Sequence, residues 1–281
     1  MVTNEFDLHT HSSASDGVYT PEELVAQAYQ AGVKALALTD HDTVKGCEWL
    51  RDNNDLLPQD FRLINGVELT CKYGKQVLHV VGLNIDIASE AIQTHMNKLE
   101  TLRNDRAQTI ALRLVKLGLP DLLTAAYEKA QGGQIGRPHF AQAMVSLGLV
   151  DSMAKAFKKY LGAGKPGDVK VEWPELSEVI TLIHNAGGVS VLAHPTKYNL
   201  TLNKIRYLLA AFAEQGGDAV EISYPGVSKD QQKSLSILVA KHELAVSMGS
   251  DFHDPGQTWT RLGSYPPIPL GLSRVTERFL N

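Results

Sequence analysis

Short apolar runs alternate with longer stretches of helical period over most of this chain. The runs at 6–9, 35–38, 63–68, 77–81, 189–194, 219–222 and 245–248 have the length and residue types of buried strands. Between them, apolar positions recur every three to four residues at 20–32, 174–186, 202–215 and 228–242. Thr20-Pro21-Glu22-Glu23 is a helix start, with a capping hydroxyl, a first-turn proline and a glutamate closing a capping box. Pro174 and Ser228 are further start signals, and Gly32, Gly187 and Gly216 are stops. Such alternation predicts an α/β fold, with a parallel sheet or barrel. The rhythm breaks between about 90 and 165, where only helical patterns occur. The pattern therefore predicts an α/β unit made of 1–90 and 166–281, interrupted by an all-helical insertion at 91–165. A proline-rich connector, Tyr265-Pro266-Pro267-Ile268-Pro269, leads to a short closing helix.

Composition changes this picture little. The chain has 281 residues, 43% hydrophobic and 21% charged, ordinary values for a globular enzyme. The two cysteines, Cys47 and Cys71, form no CxxC pair and read as free thiols of a reducing compartment. No apolar run could span a bilayer, and no basic-then-apolar leader opens the sequence. A cytoplasmic location is expected, and nothing calls for an obligate protein partner. Charge adds more. The net charge is −4, yet residues 98–170 hold 12 Lys/Arg against 6 Asp/Glu, leaving 15 against 25 elsewhere. A basic segment inside an acidic body is either a solvated helical surface or a feature suited to a phosphate-bearing substrate.

The candidate chemistry gathers at the strand ends. His9 and His11 end the first strand, and Asp16 lies in the loop beyond. Two residues apart in extended backbone, His9 and His11 share a face. His41 follows the second strand, Glu68 closes the third, and His79 lies in the fourth. His194 ends the fifth, and Asp251 and His253 follow the last. Imidazole nitrogens and carboxylate oxygens hold catalytic divalent metals, and β/α barrels collect catalytic groups at the C-terminal face of their strands. His95 and His184 sit within helical stretches, and His242 at a helix end, where a positive charge is favoured. Asp40 and Asp42 flank His41 and read equally as proton carriers or as groups that hold His41 in place.

Taken in order, HTH, TDHD, GVE, a separate histidine, AHP and SDFH resemble the motifs of the PHP (polymerase and histidinol phosphatase) metal-dependent phosphoesterases. The resemblance runs from Phe6 to about His253. It implies a distorted (β/α)7 barrel with a trinuclear centre. His9, His11, Glu68 and Asp251 would hold one ion. Glu68, as a bridge, with His79 and His194 would hold a second. Asp16, His41 and His253 would hold a third. Thiolate-free N/O ligation suits Mn²⁺, the favoured ion, and also Fe²⁺ or Zn²⁺. Such a centre predicts hydrolysis by a metal-activated hydroxide, with Asp16, Glu68 and His194 as candidate catalytic residues.

The insertion supplies the substrate clue. In Gln134-Ile135-Gly136-Arg137-Pro138-His139-Phe140, an arginine and a histidine stand just before a predicted helix. A helix start attracts anions and arginine grips phosphate in a bidentate fashion, so Arg137 and His139, with Asp16, are candidate substrate-binding residues. The bland reading has Arg137 capping a neighbouring helix and His139 packing. GRPHF within a helical insertion resembles the RNase AM, or 3′,5′-nucleoside bisphosphate phosphatase, branch of the family. That resemblance implies removal of the 5′-phosphate from 3′,5′-bisphosphonucleotides and 5′→3′ degradation of short, 5′-phosphorylated RNA. The rival expectations are a histidinol-phosphate-type phosphatase and a noncatalytic metal- or nucleic-acid-binding domain.

Overall fold

In a computed structural model, which describes residues 4–280, seven strands lie side by side in chain order. They are β1 (Phe6–Thr10), β2 (Ala35–Leu38), β3 (Arg62–Tyr73), β4 (Gln76–Leu83), β5 (Val189–Leu192), β6 (Ala219–Ser223) and β7 (Ala245–Met248). Every strand expected from the apolar runs is present. The sheet is parallel as expected except at β4, which runs antiparallel to both β3 and β5. A tight turn at Gly74 joins β3 to β4 with no room for a crossover helix. Gly74 has φ +60°, which glycine adopts without penalty.

The ring closes just beyond the strand ends. The Asp251 N–H donates to the His9 carbonyl at 2.8 Å, and the His11 N–H donates to the Phe252 carbonyl at 3.0 Å. Gly249 permits this approach, since a Cβ there would lie 2.4 Å from the Cβ of His9. Strand side chains alternate between two apolar layers. Leu36, Leu38, Val67, Val220 and Val246 face outward into the main core. Ala35, Ala37, Ala193, Ala219 and Ala245 face inward, among Leu8, Ile64, Leu83 and Met248.

Helices cover the outer layer. The expected capping box of Thr20 and Glu23 opens α1 (Pro21–Gln30). The helix α2 (Lys45–Asp52) is short, and Val44 before it offers no capping side chain. From β4 the chain enters α3 (Glu90–Val115), α4 (Leu123–Ala130), α5 (Arg137–Ser146) and α6 (Met153–Ala156), which runs into a π turn at Phe157–Leu161. No strand interrupts them. Ile92, Met96 and Leu99 of α3 pack on the main core, whereas Ile110 and Leu114 join a separate cluster with Ala126, Phe140 and Met144. The helix α7 (Leu176–Asn185) starts at a Glu175–Glu178 capping box, two residues after Pro174. Then come α8 (Leu202–Glu214) and α9 (Lys229–Lys241), capped by Thr201 and Ser228. The closing helix is a single 3₁₀ turn, Val275–Arg278. Cys47 and Cys71 are buried free thiols. No helix among the described residues is long and apolar enough to cross a membrane.

The insertion is bonded to the loop after β1. The Gln134 N–H donates to the Ala14 carbonyl at 2.7 Å, and a Cβ on Gly133 would lie 2.2 Å from the Ser13 carbonyl oxygen. A second tie comes from α3, where Arg103 Nε donates to Asp42 at 2.7 Å. Arg137 and His139 lie in the first turn of α5 rather than before it, because Gly136 takes the capping position.

Candidate metal centre

All nine candidate ligands converge at one end of the curled sheet. Their ligand atoms form four overlapping groups, each within 4.8 Å: His11, Asp16, His41 and His253; His9, His11 and Asp251; His9, Glu68 and His194; His41, Glu68 and His79. Glu68 is the hub. Its Oε2 lies 3.2 Å from His9 Nε2, 3.3 Å from His11 Nε2 and 3.1 Å from His41 Nδ1. Its Oε1 lies 3.0 Å from His79 Nδ1 and 3.1 Å from His194 Nε2. Glu68 does not close its strand as expected but stands in the middle of β3, level with His41 through a backbone bridge. Beyond that point β3 continues into its hairpin. His79 reaches the same end from mid-strand because β4 returns in the opposite sense.

Asp251 Oδ1 stands 3.5 Å from His9 Nε2, 3.3 Å from His11 Nε2 and 3.6 Å from His253 Nδ1. Asp16 Oδ1 is 3.4 Å from His253 Nε2 and 4.0 Å from His41 Nε2. Burial alone would raise the carboxyl groups of Glu68, Asp16 and Asp251, but the surrounding imidazoles outweigh it and hold all three well below the usual range. Burial, reinforced by the charge of His253, pushes His11 down to about 3, so its ring is neutral and free to ligate. The backbone is left-handed at His194 (φ 27°) and Asp251 (φ 49°), as it is at Asp42 (φ 51°). Only surrounding contacts hold non-glycine residues there, and such strain clusters at functional sites.

The donor set fits divalent cations. Buried His9 Nε2, both ring nitrogens of His11, His41 Nδ1, Asp16 Oδ1 and Glu68 Oε2 have no hydrogen-bond partner. Buried polar atoms without partners cost free energy. Here they point at one another across ligand distances, which a shared cation would compensate.

The sequence reading missed Glu221, Lys197 and Arg103 as supporting residues, and left the roles of Asp40 and Asp42 open. Glu221 in β6 is buried; it sits 3.2 Å from His9 Nδ1 and accepts the His194 N–H at 2.8 Å. An acid inside Ala219-Val220-Glu221-Ile222 was its available signal. Lys197 places Nζ 2.5 Å from Asp251 Oδ2. Asp42 accepts from the Thr70 N–H (2.7 Å), the Thr70 hydroxyl (2.8 Å) and Arg103. Asp40 is bonded to the Ser12 N–H and to the hydroxyls of Ser12 and Ser15, so it braces the β1 loop.

A cleft of about 330 Å³ opens onto this cluster. Asp16, Asp251, His253 and Lys197 line one side, Pro138, Gln142 and Phe157 of the insertion another, and Trp259 the rim. Arg137 and His139 do not line it. Arg137 Nη1 donates to the Leu161 carbonyl at 3.1 Å and lies 3.7 Å from Asp168 Oδ1. His139 is buried, and its Nδ1 accepts the Gly136 N–H at 3.0 Å.

Known proteins are similar to this chain over nearly its whole length. A 5′-3′ exoribonuclease Rnm of Escherichia coli is 42% identical over 97% of this chain and 92% of its own. A 3′,5′-nucleoside bisphosphate phosphatase of Chromobacterium violaceum is 34% identical over 96% of each chain. The structure of an amidohydrolase from Chromobacterium violaceum, with bound sulfate and no metal, superimposes with a TM-score of 0.87 at 33% identity, covering 98% of this chain and 95% of that one. The model of the PHP domain matches residues 7–213. The chain therefore belongs to the PHP domain family.

Proposed function

We propose that this chain is a metal-dependent phosphoric ester hydrolase. It removes the 5′-phosphate of 3′,5′-bisphosphonucleotides and degrades short RNA from the 5′ end. One observation carries the reading: nine N/O ligands, several with unpartnered lone pairs, converge beneath a cleft walled by a helical insertion. The names of the similar Escherichia coli and Chromobacterium violaceum proteins support the substrate class.

His9, His11, Glu68 and Asp251 would hold one ion, Glu68, His79 and His194 a second, and Asp16, His41 and His253 a third. Mn²⁺, Fe²⁺ and Zn²⁺ all suit this donor set. Bound ions supply a water of lowered pKa and neutralise charge on the phosphoryl group. The chain's own groups do the rest. Glu221 orients His9 through Nδ1, leaving Nε2 turned to the cluster. Lys197, paired with Asp251, places a cation on the cleft wall beside the incoming phosphoryl oxygens. Trp259, 70% exposed on the rim, offers a face on which a base can stack. Arg137, about one-third exposed, exchanges its contact with the Leu161 carbonyl for the 3′-phosphate, and His139, on the wall of the adjoining cleft, assists it.

The test is phosphate release with Mn²⁺ from 3′-phosphoadenosine 5′-phosphate, histidinol phosphate and a short 5′-phosphorylated RNA. Release from the first and trimming of the third are expected. Release from histidinol phosphate alone would keep the metal assignment and overturn the nucleotide one. Arg137→Ala lowers activity on bisphosphonucleotides far more than on simple monophosphates, and equal loss on both removes its assigned role.

A further inference from the structure

The cleft over the metal centre does not end at the insertion. A second cleft, of about 370 Å³, shares Val18, Gln142 and Met153 with it. The two adjoin at these shared wall residues, as an inner and an outer chamber, each at the small end of the size range of ligand pockets. Their chemistry differs. The inner chamber holds the carboxylates of Asp16 and Asp251. The outer one holds no acid. It offers serine hydroxyls, the amides of Gln131 and Gln142 and, on its wall, His139, with Lys129 as its lysine. Lys129 is exposed in the last turn of α4, and no carboxylate pairs with it among the described residues.

We infer that the outer chamber takes the second nucleotide of a 5′-phosphorylated RNA, with Lys129 engaging the phosphodiester that follows it. The inference rests on the nucleotide reading above. With the 5′-phosphate over the metal ligands, the first nucleoside fills the inner chamber. The next one then passes over Gln142 and Met153, which line both chambers. A phosphodiester leaving that chamber carries a single negative charge, which suits a lone flexible ammonium. A bisphosphonucleotide ends before it reaches Lys129, so the outer chamber separates oligonucleotides from mononucleotides.

The test uses the full chain with Mn²⁺ and compares Lys129→Glu with wild type. The substrates are a 5′-phosphorylated triribonucleotide and 3′-phosphoadenosine 5′-phosphate. The exposed side chain makes a folding defect unexpected, and an unchanged melting temperature checks this. KM for the trinucleotide is expected to rise about ten-fold, with kcat/KM for the bisphosphonucleotide within about two-fold of wild type. Lys129→Arg should restore the trinucleotide. The inference is overturned if both substrates weaken together, or if neither does. Wild type inert on both substrates would instead sink the underlying reading, and that result is visible before any variant is made.

Discussion

Glu221→Gln is a near-isosteric change at a residue 2% exposed, and it tests how the ligand shell is held. The carboxylate accepts from both directions, near His9 Nδ1 at 3.2 Å and from the His194 N–H at 2.8 Å. A carboxamide cannot do both, because one oxygen has become an NH₂ donor. If its oxygen keeps the His194 N–H, its NH₂ faces His9 Nδ1. His9 must then carry its proton on Nε2, the nitrogen aimed at Glu68 and Asp251 at 3.2 and 3.5 Å. A protonated nitrogen cannot ligate. If the amide turns over, the NH₂ opposes the His194 N–H and that bond is lost. Either way one hydrogen bond to a charged acceptor disappears, about 1.5–3 kcal/mol. That corresponds to roughly ten- to hundred-fold weaker ion binding, the usual scale for a residue that orients a metal-ligating histidine. The assay is calorimetric titration of chelator-stripped protein with Mn²⁺, beside a melting curve of the stripped protein. Ion affinity within about three-fold of wild type would refute the argument.

Further predictions follow from the same contacts. Arg103→Met leaves the buried Asp42 carboxylate with only Thr70 as donor, which should cost about 2–3 kcal/mol and lower Tm by roughly 4–12 °C. Thermal melts check it, and adding Asp42→Asn should recover part of the loss. In Gly133→Ala the new Cβ meets the Ser13 carbonyl at 2.2 Å. Overpacking of this kind costs about 1–3 kcal/mol. Because the displaced loop carries Asp16, both Tm and phosphate release should fall, and unchanged values would show that the loop yields freely. Trp259→Ala should raise KM for bisphosphonucleotides about ten-fold and leave the melting curve in place, since a base stack contributes about 1–3 kcal/mol and the ring is mostly exposed. Dialysis against a chelator should abolish release and lower Tm, with Mn²⁺ restoring both.

Local signals account for what the sequence alone conveyed. Each strand contains a short apolar run, and the helices announced at Thr20 and Ser228 begin where those caps stand. The ligands were visible because histidine and aspartate at the end of a buried run are out of place there. What escaped depends on partners distant in sequence. α2 lacks a capping side chain, so nothing local announces it. The reversal of β4 follows from a turn at Gly74 too short for a helix, although the sequence held two strands with no helix between them. Glu221 looks like a lone acid in an apolar strand until His9, 212 residues away, is folded against it. Arg103 looks like one surface cation among many on a basic helix, and its partner Asp42 lies 61 residues away. The placement of Arg137 against the Leu161 carbonyl depends on a π turn that no periodicity reveals.

The hydrogen bonds that close the ring have a consequence for synthesis. His9 and His11 leave the ribosome more than two hundred residues before Asp251 and His253. Asp251 reaches the cluster only as its N–H meets the His9 carbonyl and β7 draws alongside β1. Contacts so far apart in sequence form late, because the long loop between them must first be closed. A partly translated chain therefore has an incomplete ligand shell, whatever its barrel strands have already built. The ligand shell is complete only once β7 has drawn alongside β1.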